Sequence, residues 1–151
     1  MSYIPNFFKA EELVPPNIYN ELDGNINKIC FLFDNRLLWT IDQIRRKYGP
    51  CIINNWKSDG MFSERGLRDF NSKTGAKWSQ HKFGRAIDID IYQGSDLSTR
   101  IPPQKIRQDI LDDPWCDSFK YITALEMDIN WLHISTQNWN KKQNGILKIY
   151  P

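Results

Sequence analysis

The chain has 151 residues, 40% of them apolar and 25% charged, which suits one globular domain with a single core and leaves little room for a separate targeting module. Its net charge of +2 is too small to argue for a nucleic-acid partner, and basic residues such as Lys141 and Lys142 read as a solvated face. The three cysteines, at 30, 51 and 116, are odd in number and widely spaced, so buried free thiols are expected, with neither a disulfide framework nor a Cys-x-x-Cys metal site.

Met1 to Phe8 lacks the basic leader and apolar run of a secretory signal, and no later run reaches membrane-spanning length, so synthesis in a bacterial cytoplasm and no membrane partner are expected. Residues 1–25 carry Pro5, Pro15 and Pro16 among Phe7, Phe8, Leu13 and Tyr19, which predicts an irregular arm docked on the core. Asp34 is placed to cap a helix reaching about Lys47. Leu37, Leu38, Ile41 and Ile44 recur there at helical spacing, and Gly49-Pro50 stops it. Residues 51–55 read as a short strand, and 57–79 as a long polar surface loop of the kind that walls a site.

Residues 85–91 alternate strictly. Ile87, Ile89 and Ile91 face one way and Ala86, Asp88 and Asp90 the other, which predicts a half-buried strand with an acidic outer face. Pro102-Pro103 opens a second helix through Ile106, Ile110 and Leu111, closed by Asp112-Asp113-Pro114. Residues 120–127 and 131–135 then form a hairpin turning at Asp128-Ile129.

His81 and His133 are the only histidines. On the last strand Trp131, His133 and Ser135 share a face, mirroring the Asp88 strand, so neighbouring strands would bring Asp88 and His133 together and Gly84 would let His81 return from the loop. Two imidazoles and one carboxylate suffice for a catalytic zinc with an open position, although histidines are commonly just bonded to a backbone carbonyl. Asp90, on the same face, is expected either to support a ligand or to be solvated.

Water at such a site needs a proton acceptor. With a turn at 128–129, Glu126 lies opposite Trp131 and diagonal to His133, whereas Asp128 is at the tip and Asn130 on the wrong face, so Glu126 is the expected base. Of the loop cations Lys57, Arg65 and Arg68, Arg68 is the choice for steadying an oxyanion.

The string Ser79-x-His81-x-x-Gly84-x-Ala86-x-Asp88 followed by Trp131-x-His133 resembles the zinc peptidases that comprise D-alanyl-D-alanine carboxypeptidases and L-alanyl-D-glutamate endopeptidases. Many phage endolysins belong to them, and the Hedgehog signalling domain is a structural relative. The resemblance implies an α+β fold with a small antiparallel sheet and helices on one face, zinc on His81, Asp88 and His133, and cleavage of peptidoglycan stem peptides. The arginine of these enzymes would fall on Arg68 or a neighbour. Two departures stand out: Asn130 occupies the position, three before the last histidine, where many members carry the catalytic acid, and Asn55-Trp56-Lys57 replaces a Gly-Tyr-Arg turn.

The sequence is therefore read as one zinc peptidase-like domain over residues 1–151, acting at the bacterial cell wall as a phage lysis or virion-associated enzyme, with virion proteins as further partners. The alternative is a non-catalytic virion or wall-binding protein that keeps the fold.

Overall fold

The alternating run around Asp88 becomes the centre of a sheet. In the computed structural model, which describes residues 1–151, β2 (Ala86–Gln93) pairs antiparallel with β5 (Leu132–Ser135) on one side and with β1 (Cys51–Ile52) on the other. β3 (Thr99–Arg100) folds back on the end of β2, and β4 (Ala124–Glu126) pairs antiparallel with β5. With β6 (Leu147–Ile149) at the far edge, the order is β1-β2-β5-β4-β6.

The fold is α+β, but the expected antiparallel sheet is in fact mixed, because β6 runs parallel to β4 with Leu147 opposite Ala124. A parallel neighbour needs a crossover, and residues 136–146 supply it, including α6 (Lys141–Asn144). Lys141 pins that crossover and is not the solvated side chain expected of it. Its buried Nζ donates to the carbonyls of Pro114 (2.5 Å), Phe119 (3.2 Å) and Lys120 (3.1 Å), and burial pushes its pKa down to about 8.

α4 (Asn35–Tyr48) starts where the sequence predicts, because the Asp34 carboxylate accepts the Arg36 amide, and it ends at Gly49 with φ 122°. Its Leu37, Leu38, Ile41 and Ile44 join Ile87, Ile89 and Ile91 in one core as α4 packs on β2. α5 (Pro103–Asp112) packs on β5 and adds Ile106 and Ile110. Each such buried side chain contributes roughly 1.5–3 kcal/mol, so this face of the sheet is fixed first by hydrophobic burial.

The amino-terminal segment docks as expected but is not irregular. It forms α1 (Ala10–Leu13), α2 (Pro16–Glu21) and α3 (Ile26–Cys30). Pro16 sits in the first turn of α2, where its missing amide has no partner to lose, so the proline read as a breaker is an initiator. Asn25 caps α3 by accepting the amides of Asn27 and Lys28. Phe8, Leu13 and Val14 are buried, and Asp42 of α4 holds the segment by accepting from the amides of Asn6 (2.7 Å) and Phe7 (3.3 Å) and the Tyr3 hydroxyl (2.8 Å).

β1 is shorter than the expected 51–55 because the chain leaves the sheet early. The Asn54 amide bonds Glu12 O, and that of Asn55 bonds Phe62 O. Cys30 and Cys51 are buried free thiols, while Cys116 is only half-buried. No helix is long and apolar enough to cross a membrane.

Candidate metal centre

The front of the sheet carries the residues the sequence singles out. Asp88 lies directly across from His133 in the β2–β5 ladder, which brings Asp88 Oδ1 to 2.7 Å from His133 Nδ1. His81 reaches the same point from a 3-10 turn, Gln80–Phe83, that precedes β2. Its Nε2 is 3.3 Å from both His133 Nδ1 and Asp88 Oδ2. Gly84 makes the return possible: its φ is +64°, and a Cβ there would stand 2.0 Å from the carbonyl oxygen of Leu32. Only glycine fits both the backbone angle and that close approach.

The acidic face is not the open one expected. Asp88 and Asp90 are 5% and 7% exposed, because the long loop between β1 and β2 folds over them and ties its Arg65 carbonyl to the Asp88 amide at 2.8 Å. Arg68 Nη2 donates to Asp88 Oδ2 at 3.0 Å, while its Nε is held by the Glu64 carbonyl at 2.7 Å. Of the three loop cations only Arg68 touches the cluster. Lys57 sits on the Tyr19 hydroxyl, and Arg65 pairs with Asp90. Asp90 is thus neither solvated nor in contact with a histidine; it binds Arg65 and Arg100.

Glu126 also arrives, by a different register. Ala124 pairs with Ser135 and Leu125 with Ile134, so Glu126 continues the ladder opposite His133 and not, as a turn at 128–129 requires, opposite Trp131. The connection spans residues 127–131, with Asp128 at φ 56°. A slip of two residues preserves the face, so Glu126 still points to the front, with Oε2 3.7 Å from His133 Nδ1. Asn130 is exposed and contacts Arg100 through its backbone oxygen, away from the histidines.

The cluster opens into a cleft of about 460 Å³ bordered by Arg68, Ser79, Glu126, Trp131 and Gln137, with Trp78 standing 68% exposed at its side. No known protein family, curated protein or solved structure matches this chain. The centre is therefore judged on its own chemistry.

That chemistry favours a cation. The Gly66 carbonyl, 2.8 Å from His81 Nδ1, can only accept, so the proton of a neutral His81 resides on Nδ1 and Nε2 offers a bare lone pair. Burial lowers the His81 pKa despite the raising effect of Asp88, which keeps this ring neutral. Burial alone would raise the Asp88 carboxyl, but the hydrogen bond with His133 outweighs it and holds the group ionised. A lone pair at Nε2 therefore faces a carboxylate oxygen at 3.3 Å, an arrangement with no proton to share. Donor atoms on a tetrahedral ion with bonds of about 2.0–2.1 Å lie roughly 3.3 Å apart, close to the spacing here. The His81–Asp88–His133 group can hold a metal ion, its ligand atoms all lying within 4.8 Å of one another. The Gly66 carbonyl, which no motif flags, sets the histidine tautomer.

A pH dependence follows from the lowered His81 pKa. The unfolded chain takes up a proton near the ordinary imidazole value of about 6.5, whereas the folded chain resists it, so metal-free protein should lose stability as the pH falls below about 6.5. Asp88, with its pKa lowered, adds a further loss only below the ordinary carboxylate range. Metal affinity should weaken with falling pH as well, since protons compete for the ligands. Urea midpoints with chelator, followed from neutrality downward, check the first statement; a midpoint that stays flat to about pH 5 refutes it.

Proposed function

We propose that this protein is a zinc metallopeptidase that hydrolyses a peptide bond in bacterial peptidoglycan stem peptides, serving in phage lysis or as a virion component. The observation that carries the reading is the convergence of His81, Asp88 and His133 with Glu126 beside them at the floor of one open cleft. The resemblance of the His81 and His133 motifs to the D-alanyl-D-alanine carboxypeptidase and L-alanyl-D-glutamate endopeptidase group, with its Hedgehog-like fold, points the same way.

His81, Asp88 and His133 offer imidazole nitrogen and carboxylate oxygen, both donors that zinc accepts, and a zinc held there would supply a Lewis acid that makes a nucleophile of water at neutral pH. Glu126 is the base. At 3.7 Å its Oε2 is too far for a direct hydrogen bond to His133 Nδ1, yet near enough to share a water with the cluster, take its proton and pass it to the leaving amine. Arg68 orients Asp88 through its hydrogen bond to Oδ2, and its guanidinium at the cleft wall steadies the oxyanion that forms on the scissile carbonyl.

The purified chain should contain about one zinc per molecule, solubilise purified peptidoglycan and lose that activity on chelation, regaining it with added zinc. Metal analysis and wall turbidity read both properties. Zinc without turnover on any wall chemotype would assign the fold to a structural virion or wall-binding role instead.

A further inference from the structure

Beside the metal centre lies a second pocket, about 350 Å³, that shares Asp88 and Trp131 with it and is otherwise lined by Phe62, Arg65, Asp90, Arg100 and Asn130. Asp90 follows Asp88 by two residues on the same face of β2, so the Asp90 end of the pocket, where both arginines gather, lies about 7 Å along the strand from Asp88. Two guanidinium groups, of Arg65 and Arg100, bind the single Asp90 carboxylate, which leaves one positive charge without a counter-ion. The other partners of Arg100 are the Asn130 backbone oxygen and, at 3.5 Å, the Asn130 side chain, both neutral; its Nε has no hydrogen bond at all. The Arg65 guanidinium carbon lies over the Phe62 ring, 4.2 Å from its centroid. Asp88, which also lines the pocket, is paired with Arg68, so the surplus charge of the two arginines stands, with Arg100 30% and Arg65 11% exposed.

We infer that this pocket is a substrate subsite that recognises a carboxylate one or two residues from the scissile bond. An extended peptide advances about 3.3–3.6 Å per residue, so the separation of about 7 Å matches that distance. Arginine forks suit a planar carboxylate, and the surplus charge supplies the attraction that Asp90 alone does not neutralise. The choice of carboxylate over another anion rests on the peptidase reading. In a stem peptide the group comes from a glutamate α-carboxylate within the chain or from the terminal carboxylate of the last alanine.

The test is an NMR titration of the full chain with L-alanyl-D-glutamate against its α-amide, and with D-alanyl-D-alanine against its C-terminal amide; the spectra also report any cleavage. In one of the two pairs the acid should bind about tenfold more tightly than the amide, and that pair identifies the source. Arg100→Gln should abolish the preference while zinc content stays at the wild-type level, and Arg100→Lys, which keeps the charge and loses the fork, should restore part of it. Equal affinity for acid and amide in both pairs overturns the inference, as does a preference that survives Arg100→Gln. A chain that binds no zinc yet prefers the acid through Arg100 supports this subsite and sinks only the peptidase reading. An active zinc peptidase indifferent to the carboxylate sinks only the subsite.

Discussion

Glu126→Gln should cut turnover on purified peptidoglycan by at least about a hundredfold while zinc stays bound, because a positioned general base is worth roughly 10²–10⁴ in rate. Glutamine keeps the shape of the side chain and removes only its ability to accept a proton. Zinc should survive because the three candidate ligands are complete without it: His81 and His133 flank Asp88, and Glu126 stands 3.7 Å from His133 Nδ1. Asn130→Ala is the companion variant. Its side chain is exposed and turned toward Arg100, so turnover should stay within a few-fold of wild type. Kinetics with parallel metal analysis decides: full activity in Glu126→Gln removes the base assignment, and loss of zinc in that variant makes Glu126 a ligand instead.

Asp88→Ala should lose both the metal and a large part of the stability. Its two oxygens serve three partners, Oδ1 taking His133 at 2.7 Å and Oδ2 taking Arg68 at 3.0 Å with His81 at 3.3 Å. Removing the carboxylate strands the Arg68 guanidinium, only 10% exposed, and breaking a buried pair in this one-sided way costs about 3–5 kcal/mol. Asp88→Asn separates the two effects. Its amide fills the space and its oxygen still accepts from Arg68, so most of the stability should remain while zinc affinity falls. Urea denaturation in excess chelator reads the first quantity and zinc titration the second. Unchanged zinc affinity in Asp88→Ala would remove the metal centre from this site.

Much of this centre is written in local pattern. Period-two alternation places Asp88 on the opposite face from Ile87 and Ile89, and the same parity places His133 and Glu126, so even a hairpin register wrong by two residues leaves every candidate on the front of the sheet. The helices α4 and α5 are likewise legible, because a cap, an apolar stripe and a stop are all neighbours in the chain. The proline-rich start is misread for the same reason: Pro16 ends nothing when it stands at the first turn of a helix, and so short a helix is held by packing Ile18 and Tyr19 against the core.

By itself, then, the sequence determined which side chains share a face and which two helices back the sheet, since those properties depend on residues a few positions apart. The tertiary structure alone decided the rest. It tied Arg68, the loop cation that the sequence singles out, to Asp88 and gave Asp90 to Arg65 and Arg100. It also set the His81 tautomer through the Gly66 carbonyl, fixed the β4–β5 register by anchoring the Ile129 and Trp131 carbonyls on buried Arg107, and added a parallel edge strand behind the buried Lys141. Each of these is a contact between residues ten or more positions apart, made where buried polar groups had to find partners, and no local periodicity encodes which partner is in reach.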